Sequence, residues 1–191
     1  VYNVNADTAA AALAVALDPT LAEPHAALAM TYGHMRRYTN AFAEIERALA
    51  LDPDDPNAHL WGGIVFMNAG YTTRGCEFLD RALAIDPLMP NALLWRGLQY
   101  FYACDLQQAE VLLQRGAGVG LAHVGVGLHL VLAARGRIAE ARAQLAEGLA
   151  VLRAGLPADI SNTIAAGVYG NAAARDHALA VIEDYLATQP T

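Results

Sequence analysis

The tetrapeptide Ala16-Leu17-Asp18-Pro19 returns as Ala50-Leu51-Asp52-Pro53 and again as Ala84-Ile85-Asp86-Pro87, with 34 residues from each copy to the next. A fixed period of this length constrains the fold more than any other feature. Each unit is a single supersecondary piece that can bury its apolar face only against its neighbours, so a row of short units replaces one large core. The 55% hydrophobic fraction is rich in alanine and leucine at helical spacing, and no run of Val, Ile and Thr alternates like a strand. The expected class is therefore all-α.

Taking the proline as a late position of the unit, full units begin at Ala22, Pro56 and Pro90. Ala6 to Leu17 then reads as the second helix of a unit whose first helix is missing, and the chain is expected to be cut from a longer protein. Each unit holds two helices. In the first full unit, Ala22 to Met35 carries Leu28, Ala29 and Tyr32 on one face, and Asn40 to Leu51 carries Ala41, Ile45 and Ala48. The turn between them is Arg36-Arg37-Tyr38. The next units repeat the pattern with Gly63 and Phe66, then Gly75, Leu79 and Ala82, and with Gly97 and Tyr100, then Ala109, Leu113 and Gly116.

A 34-residue period, a small residue late in the first helix, an aromatic three positions on, small-large-small down the second helix and a closing proline resemble the tetratricopeptide repeat family. The resemblance implies a right-handed superhelical α-solenoid of antiparallel helix pairs, a single array over residues 1–191. Its parts would be a half repeat at 6–19 and repeats at 22–55, 56–89, 90–121, 122–158 and 159–191. Leu128, Leu132, Gly136, Ala141, Leu145 and Gly148 fit the fourth; Ala166, Tyr169, Ala178, Ile182 and Pro190 fit the fifth. Gly62 and Arg96 stand where the family usually has leucine, and the last units are irregular in length.

In such arrays the first helices line a concave groove. The resemblance places there Met30 and His34; Asn57, Leu60, Ile64, Met67 and Asn68; Asn91, Leu94, Leu98, Phe101 and Tyr102; then His123, Val126 and Leu130. Asparagine amides can pair with the backbone of an extended peptide, while Met, Leu and Phe adapt to apolar side chains. The lining holds no Arg or Lys, so capture of a terminal carboxylate is not expected.

Other chemistries find little support. The net charge of -7, with twelve Arg and no Lys, argues against nucleic acid as a partner. Cys76 and Cys104 lack metal-ligand spacing and read as reduced thiols, which points to the cytoplasm. His25 and His59 occupy the same position of consecutive units, but two histidines make half a zinc site, and a structural role is expected. Trp61 and Trp95 recur likewise and are expected to pack between helices. Ser161 is the only serine and lacks an elbow-like context, so no catalytic residue and no cofactor are expected. Gly116 to Ala134 has no charged residue over 19 positions, yet its five glycines and two histidines argue against a membrane span.

The expected function is a protein-protein interaction scaffold that holds a peptide or protein segment in the groove. A second reading is self-association or a regulatory role within a larger protein. Segments such as Glu23-Pro24-His25-Ala26-Ala27-Leu28-Ala29 loosely resemble the tails of bacterial regulators and nucleotide cyclases.

Overall fold

The computed structural model describes residues 4–119, 122–151 and 157–188, with the side chains of residues 4, 5, 122–126, 151, 158 and 186 outside the described set. Among these residues every regular element is an α-helix: α1 (Val4–Leu17), α2 (Ala22–His34), α3 (Tyr38–Leu51), α4 (Pro56–Asn68), α5 (Thr72–Ile85), α6 (Pro90–Tyr102), α7 (Leu106–Gly118), α8 (Ala122–Ala134), α9 (Ile138–Val151), α10 (Ala158–Tyr169) and α11 (Ala172–Ala187). Contacts divide the chain within α6 into two compact units, residues 1–96 and 97–191.

In the first unit α2 packs on α3 and on α4, α3 also meets α4, and α4 packs on α5. Each first helix thus touches its own second helix and the next first helix, the contact pattern of stacked helix hairpins. The core follows the sequence pattern. Ala26, Ala48 and Ala58 form one buried cluster; Leu60, Ile64, Leu79, Ala82, Met89 and Ala92 form the next, and half-buried Trp61 packs against both. Trp95 joins the second cluster, so both tryptophans pack between helices.

The repeated Asp-Pro closure has a specific job. The backbone N–H groups of Asp18, Asp52 and Asp86 donate to the carbonyls of Ala14, Ala48 and Ala82, ending the helices. Each Asp Oδ1 then accepts the backbone N–H two residues on, from Thr20 (2.9 Å), Asp54 (3.1 Å) and Leu88 (3.0 Å). This is a side-chain-closed turn that fixes the exit direction of the chain before the next first helix. At Asp18 the Thr20 hydroxyl adds a 2.6 Å bond, and the two donors hold the carboxyl below its ordinary range.

Within a hairpin the turn is equally stereotyped. Arg36, Gly70, Cys104 and Gly136, all at position 15 of their repeats, have φ of 58°, 93°, 61° and 78°. The residue after each donates to the carbonyl five back: Arg37 to Tyr32, Tyr71 to Phe66, Asp105 to Tyr100 and Arg137 to Leu132. The residue at position 15 donates to the carbonyl three back, completing a Schellman motif. Glycine takes this left-handed conformation freely, but Arg36 and Cys104 carry a Cβ and are strained there. The fifth hairpin differs, with only Gly170 and Asn171 between α10 and α11.

In the second unit α7 packs on α8, α8 on α9, α9 on α10 and α10 on α11. The uncharged stretch from Gly116 to Ala134 falls on two helices, α7 and α8, and among the described residues no helix is long and apolar enough to cross a membrane. Glu110 of α7, 8% exposed, reaches the α8–α9 turn, where it accepts from Arg137 (2.5 Å) and Arg135 (3.0 Å), and also from Gln114 (3.0 Å). Arg137 also pairs with Glu140 (2.5 Å). That guanidinium holds the Glu140 carboxyl below its ordinary range, and the two carboxylates push the Arg137 value up.

Candidate functional site: the first-helix face

The residues expected to line a groove do not share one environment. Asn57 and Asn68 are exposed, Asn91, Met30, Met67 and Leu94 are half-buried, and His34 is exposed. Leu60 and Ile64 are a correction: at 1% and 4% exposure they offer a partner no surface. Their side chains are absorbed by the cluster that includes Leu79 and Ala82 of α5, Met89 just before α6 and Ala92 in its first turn. Large apolar groups at these positions are taken into the space between helices, because burial there removes more of their area from water than a groove wall would. Met67 is drawn partly the same way, lying against the core and beside Gly75.

Asn57 is positioned by the start of α4. The Asp55 side chain accepts the Asn57 backbone N–H at 2.8 Å, and Pro56 occupies the first turn, where its missing N–H costs nothing. Among the described residues the side-chain amides of Asn57 and Asn91 make no intramolecular hydrogen bond. Each therefore keeps a carbonyl and an NH2 for a ligand or water. The two asparagines occupy the same position of α4 and α6, and both belong to the first compact unit.

In the second unit Leu98 and Phe101 are half-buried, Tyr102 is 67% exposed and Leu130 is 38% exposed. The rings of Phe101 and Tyr102 meet edge to face at 5.7 Å. The side chains of His123 and Val126 lie outside the described residues.

The repeated histidines are structural. His59 Nε2 lies 2.9 Å from the Pro53 carbonyl and His25 Nε2 lies 3.2 Å from the Pro19 carbonyl, so each pins its helix to the preceding Asp-Pro closure. Buried His25 also meets Glu44 through Nδ1 at 2.6 Å; at His59 the corresponding neighbour is the Phe78 ring, 5.7 Å away. No group of three His, Cys, Asp or Glu able to hold a metal occurs among the described residues.

The sequence reading missed an aromatic cluster where α3, α4 and the start of α5 meet. Phe42 of α3 stacks on Phe66 of α4 with centroids 4.5 Å apart, and Tyr71 meets both edge-on at 6.1 and 6.4 Å. Phe42 and Tyr71 do not recur at 34 residues, so the period carries no signal of them.

Similarity to solved structures defines the class. The chain superimposes on TTC0263, a thermophilic tetratricopeptide repeat protein of Thermus thermophilus, with a TM-score of 0.72 at 20% identity, covering 85% of this chain and 90% of that one. YrrB, described as a tetratricopeptide repeat protein with an unusual peptide-binding site, matches at 0.60 and 18% identity over 95% and 93%. A chain of the Cut9–Hcn1 hetero-tetramer of the APC/C matches at 0.69 and 16% identity, covering 92% of this chain but 39% of that one. The chain thus has the tetratricopeptide repeat fold, an all-α solenoid of antiparallel helix pairs. No family model matches the sequence, and no curated protein does.

Proposed function

We propose that the chain is a protein-protein interaction scaffold whose first helices hold an extended peptide or protein segment by complementarity, with no bond chemistry. The observation that carries this reading is the pair of unspent amides, Asn57 and Asn91, at equivalent positions of α4 and α6. Each can accept from and donate to a peptide backbone, and the half-buried Met30, Met67 and Leu94 supply adaptable apolar contact on the same set of helices. The corrected lining omits Leu60 and Ile64. The printed descriptions of two structural neighbours support the class of activity: YrrB has a peptide-binding site, and Cut9 is found in a complex with Hcn1.

The test is to select peptides against the purified chain from a displayed library and to measure the best by calorimetry. Replacing Asn57 and Asn91 together by Ala is expected to weaken binding at least about tenfold, from two lost hydrogen bonds of roughly 1 kcal/mol each. Unchanged affinity in the double variant would remove the basis of the proposal.

A further inference from the structure

We propose a second recognition site, away from the two asparagines, that takes the guanidinium of an arginine side chain from a partner protein. Phe42 and Glu46 of α3, Phe66 at the end of α4, and Tyr71 and Arg74 at the start of α5 line an opening of about 270 Å³. Phe42 and Phe66 are nearly parallel, with 11° between their planes, and Tyr71 stands edge-on to both. Tyr71 is 59% exposed, although a tyrosine ring at a helix start gains nothing from water. Three rings and one carboxylate around a small opening form a surface that attracts cations, because each ring face carries negative quadrupole density.

The chain itself supplies the stand-in for the ligand. The guanidinium carbon of Arg74 lies 4.4 Å from the centroid of Phe66. Among the described residues Arg74 makes no ion pair, and neither does Glu46. The guanidinium rests on a ring while a carboxylate of the same opening goes unmatched, so the site is only partly satisfied from within. An incoming arginine would occupy the ring faces with Glu46 as counter-ion, displacing Arg74 into water, where its charge is readily solvated. The overall charge of -7 favours such a basic partner at long range. Aspartate or glutamate side chains fit poorly, since Glu46 would repel them.

The probe is Nα-acetyl-arginine methylamide, titrated into the full chain and followed by NMR of the Tyr71 ring, with the neutral citrulline analogue as control. Saturable binding of the arginine probe and none of the citrulline probe is expected. Arg74→Ala removes the internal competitor and should tighten binding about fivefold. Glu46→Gln and Tyr71→Ala, both at exposed positions, should weaken it by about the same factor. Equal binding of the citrulline probe, weaker binding by the Arg74 variant, or no saturable shift at Tyr71 would each overturn the proposal. The combined Asn57 and Asn91 variant should leave this titration unchanged, which keeps the two sites separable.

Discussion

The same inter-repeat contact is built twice in this molecule with opposite chemistry. In the first compact unit Phe42, at position 21 of its repeat, meets Tyr71, at position 16 of the next, ring to ring at 6.1 Å. In the second unit Glu110 and Arg137 stand at those same two positions and form an ion pair at 2.5 Å. The separations are 29 and 27 residues, differing by the two residues that the third repeat lacks. The repeat backbone therefore decides which positions meet, and the side chains are free to choose how. Where the joint is regular and closed by Asp-Pro, an aromatic stack suffices. Beyond Gly116, where that closure is gone, a nearly buried carboxylate tied to two arginines takes over.

The comparison can be broken most severely through the backbone approach of α4 and α5. A Cβ on Gly75 would lie 2.7 Å from the Gly63 carbonyl oxygen and against Met67 Cγ. Gly75→Ala is expected to cost about 2–3 kcal/mol in urea unfolding, because a backbone atom cannot give way as a side chain can. Gly97→Ala should cost less: its Cβ would meet the flexible Leu113 side chain at 2.8 Å and the Ala109 carbonyl only at 3.6 Å.

The chemistry of the joints should separate next. Phe42→Ala is expected to destabilise by about 2–3 kcal/mol, with little change between low and high salt. Glu110→Ala should cost about 1–3 kcal/mol, since it strands partly buried arginine groups, and the loss should shrink in high salt. A smaller effect of opposite sign belongs to the turns. Arg36→Gly and Cys104→Gly relieve left-handed strain at φ of 58° and 61° and should each raise stability by roughly 1 kcal/mol. Smallest are the acid effects at Asp18 and Glu140. Their folded values are lowered, so their stabilisation is present above the ordinary values of 3.8 and 4.5 and is lost as pH falls through the lowered ones. Asp18→Asn and Glu140→Gln should flatten the acid limb of a stability-pH curve.

The fold was legible because the closing proline and the small-large-small pattern are local signals that recur. They place α8 at Ala122 and both tryptophans between helices, as found. The binding face was only partly legible. Position within a repeat says that Leu60 and Ile64 lie on a first helix, but it does not say that Leu79, Met89 and Ala92 will close over them. The left-handed turn was hidden at Arg36 and Cys104 because glycine is its only sequence signature, and the sequence reading carried that signal at Gly136 alone. The arginine network was hidden for another reason: its members are far apart in sequence, within the two repeats of irregular length.

A pair of double-mutant cycles tests the claim that geometry is shared while chemistry differs. Stability would be measured for Glu110→Ala, Arg137→Ala and the two together, and for Phe42→Ala, Tyr71→Ala and the two together, each at low and at high salt. Both pairs should show coupling of about 0.5–3 kcal/mol, with only the Glu110–Arg137 coupling weakened by salt. Additive behaviour in either cycle, or equal salt dependence of the two, would contradict it.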